Sequence, residues 1–153
     1  MIKLMKSTFY NEEDTKKKLC DFIKDSKRLS MDKKCNEFEK RFSLYQNRLF
    51  SIFFNSGSSA NLALLQSLIN CGRLKRGDSV GVSAITWSTN VMPVLQLGLK
   101  PIPIDISLNN LNVSSENLIN VLETVDMQLL FITNLMGFCG DLDTISEICK
   151  DKG

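Results

Sequence analysis

From Phe50 onward the chain changes its apolar period, and that change constrains the fold more than any other feature. Short apolar runs at Phe50-Ser-Ile-Phe-Phe54, 79–84, Lys100-Pro-Ile-Pro-Ile-Asp105 and 128–133 alternate with helix-length stretches. Those stretches are Ala60–Asn70, 87–97, 115–125 and 141–150. A strand, about ten helical residues and another strand make a βαβ crossover, which sets strands parallel and lays helices on the sheet. The expected fold class is therefore α/β with a mainly parallel sheet. Gly72, Arg76-Gly77-Asp78 and Gly98 punctuate the elements. Proline stands at the start of the third run, where a missing N–H is tolerated.

The first 49 residues read as a helical arm, separate from an α/β unit at 50–153. Asn11 is placed to cap a first helix, with acids at 12–14 at the positive end of its dipole and Leu19, Phe22 and Ile23 as its apolar stripe. In a second helix Met31, Cys35, Phe38, Phe42 and Tyr45 fall on one face. At the other end, Ile145, Ile148 and Cys149 face inward from a last helix, with Asp151-Lys152-Gly153 as its C-cap. A further strand is expected after it, so the α/β unit reads as incomplete.

Composition narrows the chemistry. With 153 residues, 43% hydrophobic and 24% charged, the chain can bury a core without disulfide or metal staples. It contains no histidine, which removes Ser-His-Asp triads, Cys-His dyads and His-containing zinc sites. The cysteines Cys20, Cys35, Cys71, Cys139 and Cys149 form no C-x-x-C pair and read as reduced small hydrophobes of a cytoplasmic protein. No leader-like apolar segment opens the chain, and no run approaches the ~20 residues of a membrane span. Residues 1–50 hold 13 Lys+Arg against 8 Asp+Glu, but the two signs are interleaved. That pattern is a solvated helix face, so neither nucleic acid nor membrane is expected as a partner.

Two segments point to a ligand. In Asn55-Ser-Gly-Ser-Ser59, between an apolar run and a helix, backbone N–H groups converge with the helix dipole and the Ser58 and Ser59 hydroxyls. An anion such as phosphate would suit them, although a serine-rich N-cap has the same composition. The segment lacks the glycine patterns of P-loop and dinucleotide sites. Trp87, in Ala84-Ile-Thr-Trp-Ser-Thr-Asn90, falls at the carboxyl edge of the sheet, where ligands of parallel sheets bind. An indole beside a phosphate site can stack on a planar ring. Asp105, Asn134 and Cys139 lie along the same edge, the first two as caps or turn residues and the third as a bystander.

Taken in order, these segments resemble the DegT/DnrJ-type sugar aminotransferases, pyridoxal-phosphate enzymes of the aspartate-aminotransferase fold. The resemblance runs from about residue 10 through Arg28-Leu-Ser-Met-Asp-Lys-Lys-Cys-Asn-Glu-Phe-Glu-Lys-Arg-Phe42 and Asn55-Ser-Gly-Ser-Ser-Ala-Asn61. It continues through Gly77-Asp78-Ser-Val with Thr86-Trp-Ser-Thr, Gly98-Leu-Lys-Pro101 with Asp105, and Asn134-Leu-Met-Gly137 with Asp141 and Ile145. It implies pyridoxal 5'-phosphate as cofactor, with Gly57 and Ser58 on the phosphate and Trp87 stacked on the ring. It further implies a nucleotide-linked keto-sugar substrate, a homodimer, and a place in surface polysaccharide or lipopolysaccharide synthesis.

In the family, the carboxylate that pairs with the pyridine nitrogen and the Schiff-base lysine lie further along the chain. No catalytic residue is therefore expected among these 153, and the chain alone is expected to be inactive. Amino transfer is the main reading because that branch is the larger. In the sugar 3-dehydrase branch a histidine replaces the lysine, and the loop and the Thr-Trp-Ser-Thr stretch fit that branch at least as well. A non-catalytic α/β module binding a phosphorylated ligand is the third reading.

Overall fold

The computed structural model describes residues 8–152. The elements are α1 Glu12–Asp25, α2 Lys33–Tyr45, α3 Gly57–Asn70, β1 Ser79–Ser83, α4 Ser88–Gln96, β2 Lys100–Ile104, β3 Ile106–Ser107, β4 Asn112–Val113, α5 Ser115–Leu122, β5 Leu129–Phe131 and α6 Leu142–Lys152. A single 3-10 turn, Leu135–Gly137, lies between β5 and α6. The contacts divide the chain into two units, one ending at Phe53 and the other starting at Phe54. No helix among the described residues is long and apolar enough to cross a membrane.

In the first unit, acids at 12–14 and Lys24 complement the dipole of α1, and Lys16–Glu12 and Lys18–Asp14 pair one turn apart. Asn11 is not the expected cap. It adopts a left-handed backbone (φ 47°) with no side-chain capping bond, while the Thr15 hydroxyl donates to the Tyr10 carbonyl at 2.7 Å. In α2 the Phe38 and Phe42 rings stack at 5.6 Å, and Phe42 lies 6.3 Å from Tyr45. Met31 falls outside the helix it was expected to join, in the connector before Lys33 with φ 43°.

The expected strand at Phe50–Phe54 does not form. The Phe53 N–H donates to Glu39 Oε1 at 2.8 Å, and the Phe53 ring meets Phe38 edge-on at 5.4 Å. Phe50 is 84% and Ile52 73% exposed. An apolar run shows that a segment has something to bury, but not that a neighbouring strand is there to pair with it.

The second unit is a three-layer α/β sandwich. Its sheet runs β2-β1-β5, all parallel. Val80 and Val82 of the central strand face Leu65 and Val94 of α3 and α4, with Leu74 and Leu99, in one buried cluster. Ile104, Ile106, Val113, Leu118 and Ile145 form the second cluster with α5 and α6. Gly81 has no room for a side chain, because a Cβ there would lie 2.9 Å from both the Ile104 methyl and the Met127 sulfur. The backbone N of Lys100 and the carbonyl of Ile104 are bonded on the β1 side. Strand alternation then turns the nitrogens of Pro101 and Pro103 to the outer edge.

The antiparallel pair β3–β4, matched Ile106↔Val113 and Ser107↔Asn112, was not foreseen. Two residues per strand are too few to show a period. At the other end, Asp151 and Lys152 continue α6 rather than cap it, and Gly153 lies outside the described residues.

Asp141, just before α6, accepts from the Ser115 hydroxyl and from its N–H at 3.1 Å, so it ties α5 to α6. The Ser115 hydroxyl bond holds its carboxyl below the usual aspartate value. A lowered folded-state value contributes stability that is present above the ordinary carboxylate range and is lost as pH falls through the folded value. Asp141→Asn is expected to remove that acid-side dependence, with an effect below about 1 kcal/mol at neutral pH because the pair is exposed. Urea titrations at pH 7 and pH 3 check it, and an unchanged difference between the two pH values refutes it.

Candidate functional site

The segment read as a loop at Asn55–Ser59 is mostly helix. Helix α3 starts at Gly57, three residues earlier than expected, because Ser56 caps it by accepting the Ser59 N–H at 3.2 Å. The Ser56 hydroxyl donates to Ser59 Oγ at 3.1 Å, so the Ser59 N–H is taken by the cap while its hydroxyl keeps a proton to donate. Gly57 and Ser58 remain as the first two helical residues. Both are exposed, and neither their N–H groups nor the Ser58 hydroxyl has a partner among the described residues. A Cβ at Gly57 would meet nothing within 4 Å, so the space above it is open. Unpaired N–H groups at the positive end of a helix favour an anion.

Trp87 stands at the N-cap position of α4, four residues after the end of β1, and is 72% exposed. The helix starts at α3 and α4 are brought together by side chains that the sequence reading passed over. The Asn61 amide donates to Asn90 Oδ1 at 2.7 Å and to the Thr89 carbonyl at 3.4 Å. The Asn90 amide donates to the hydroxyl oxygens of Thr86 and Thr133, each at 2.9 Å. Those two oxygens lie 2.6 Å apart, and the Thr133 N–H donates to Ser83 Oγ at 3.0 Å. Ser83 is buried at the carboxyl end of β1. The network therefore joins α3, α4 and the ends of β1 and β5 at the sheet edge where the candidates lie. A sequence clue existed in Pro93, which stands four residues after Thr89 and leaves that carbonyl without its helical donor.

The remaining candidates take structural parts. Asp105 Oδ1 accepts the Ile106 N–H at 2.8 Å, and its carbonyl accepts from Asn117 at 3.0 Å. The carbonyl of Asn134 closes the 3-10 turn by accepting the Gly137 N–H at 3.2 Å. Cys139 is an exposed thiol, as are Cys20, Cys71 and Cys149, so these four are not the packing residues expected. As arranged, the edge offers an anion two N–H donors and a hydroxyl, with an exposed indole one element away. It offers a binding surface.

Comparison with known proteins adds the rest. A family model described as the DegT/DnrJ/EryC1/StrS aminotransferase family matches residues 10–153. GDP-4-keto-6-deoxy-D-mannose 3-dehydratase of Yersinia pseudotuberculosis is 33% identical over 132 residues, covering 85% of this chain and 33% of the relative. The solved structure of the Escherichia coli GDP-4-keto-6-deoxy-D-mannose 3-dehydratase with bound hydrated PLP aligns at TM-score 0.82 and 31% identity, over 96% of this chain and 37% of that one. An aminotransferase from Psychrobacter cryohalolentis aligns at TM-score 0.75 over 95% of this chain and 35% of that one, but at 20% identity the likeness is one of fold. The chain spans about a third of the length of the curated relatives it matches.

Proposed function

The chain belongs to the DegT/DnrJ/EryC1/StrS aminotransferase family, and from that premise we propose that it is the N-terminal part of a pyridoxal-phosphate enzyme that dehydrates a nucleotide-linked 4-keto-6-deoxy sugar at carbon 3. One observation carries the choice of dehydration over amino transfer. The relative that is 33% identical is named a 3-dehydratase, whereas the aminotransferase cited above is 20% identical. Amino transfer, the reading preferred from sequence alone, becomes the second one, kept because the family's own description names it.

The residues present fit the cofactor. The phosphate of pyridoxal 5'-phosphate suits the free N–H groups of Gly57 and Ser58, and the open space over Gly57 admits it. Trp87, exposed at the N-cap of α4, would cover one face of the ring and keep water off it. When bound, the cofactor supplies an electron sink for the sugar's reacting carbon. The group that holds the pyridine nitrogen, and the lysine or histidine that works at the reacting carbon, belong to sequence following these residues in the family. The 153-residue chain by itself is accordingly expected to show no turnover.

The exposed apolar side chains of the first unit, among them Leu44, Tyr45, Phe50 and Ile52, suit coverage by the rest of a cytoplasmic homodimer. Reading the gene past codon 153 tests the assignment directly. A histidine at the Schiff-base position supports dehydration, a lysine there restores amino transfer, and a stop codon after Gly153 leaves only the binding module. A second test is Trp87→Ala, which is expected to weaken pyridoxal-phosphate binding about fivefold, the equivalent of roughly 1 kcal/mol of stacking. Equilibrium dialysis of the chain against pyridoxal phosphate reads this, and equal affinities exclude the stacking role.

A further inference from the structure

Gly57 stands four residues before Asn61 in α3, and Trp87 three residues before Asn90, which lies in α4. Each candidate ligand residue is thus about one helical turn from a partner in the 2.7 Å Asn61–Asn90 bond. That bond is a cross-link between the two helix starts. It is held from both sides, since the Asn90 amide is anchored on Thr86 and Thr133 and the Asn61 amide also takes the carbonyl that Pro93 leaves open. Every polar atom of the Asn90 side chain is committed to this task, and both asparagines are half-buried.

We propose that Asn90 is a positioning residue, which sets the separation between the phosphate end and the ring end of the cofactor site. The inference rests on the pyridoxal-phosphate reading. A ligand that touches both helix starts gains from their fixed spacing as a two-point ligand gains from a matched linker. A ligand that touches only one start does not depend on the spacing. Asn90 should therefore matter for pyridoxal 5'-phosphate and not for inorganic phosphate, which needs only Gly57 and Ser58.

The chain provides its own probe, because Trp87 is its single tryptophan. Quenching of its fluorescence by pyridoxal phosphate reports binding at the ring end, and competition by inorganic phosphate reports the other end. Asn90→Ala is expected to weaken pyridoxal phosphate about tenfold while leaving the competing phosphate affinity within about twofold, with far-UV circular dichroism unchanged. Asn61→Ala breaks the same bond from the other side. It is expected to give the same split, and it carries the test if Asn90→Ala does not fold. The double variant should lose less than the sum of the two single ones, since both remove the shared Asn61–Asn90 bond.

An unaltered pyridoxal-phosphate affinity in a folded variant overturns the proposal. So does a parallel loss for both ligands, which would make Asn90 a general scaffold residue. If the unsubstituted chain shows no quenching at all, these residues do not hold the cofactor by themselves and this inference fails, while the family assignment, which rests on the match over residues 10–153, stands.

Discussion

Leu65→Ala is expected to lower the unfolding free energy of the chain by about 2–5 kcal/mol, the range for a leucine removed from a packed core. The side chain is fully buried, at 0% exposure, in the cluster that seats α3 on Val80 and Val82 of the central strand and on Val94. The sheet backbone is held on both sides by parallel ladders, so the space left by the missing methyls cannot close freely. Leu64 supplies the control. It sits one position earlier in the same helix, 49% exposed, and its truncation should cost less than about 1 kcal/mol. Urea denaturation followed by far-UV circular dichroism separates the two, and equal losses would mean that the described core is wrong. The effect should reach the candidate site, because α3 carries Gly57 and Ser58 at its start.

Asn112→Ala should be the second large loss, at about 2–4 kcal/mol, because it removes three hydrogen bonds at once from a side chain that is itself buried. Asn112 is 3% exposed. Its amide donates to the carbonyls of Asn110 and Phe138 at 2.7 and 2.9 Å, and its Oδ1 accepts the Leu135 N–H at 3.1 Å. It therefore pins the segment after β5 to the β3–β4 hairpin. Asn112→Asp should be worse at neutral pH, since a carboxylate would face two carbonyl oxygens with nothing to donate. Acidification should recover part of that loss, because the protonated acid regains one donor. Hydrogen exchange across residues 134–140 should quicken in both variants. An aspartate variant as stable as the parent at pH 7 contradicts the clamp.

The parts legible in sequence were those with a long period. Helices α1 to α6 and the strands at Ser79–Ser83, Lys100–Ile104 and Leu129–Phe131 follow from spacing and punctuation. What escaped was decided by single partners that spacing does not encode. The apolar run at Phe50–Phe54 has no strand beside it, and its Phe53 N–H bonds to Glu39 instead. Ser56 moves the start of α3 by three residues and turns a loop into the first turn of a helix. The candidate site was legible as residue types, a glycine between serines and a lone indole, but not as a connected structure. The Asn61–Asn90 bond joins residues 29 apart in the chain, and only the fold brings them together. The preference for amino transfer over dehydration came from the size of that branch rather than from these residues, which are 33% identical to a relative named as a 3-dehydratase.

The prolines of β2 give the sheet a direction of growth. On the outer border of that strand, Pro101 and Pro103 present no N–H, so a strand arriving there would find acceptors without their matching donors. The opposite border, β5, contains no proline and keeps its full complement. New strands are thus admitted on one side and refused on the other. Polypeptide completing this sheet would extend it beyond β5, and the blank border guards the chain against edge-to-edge self-association.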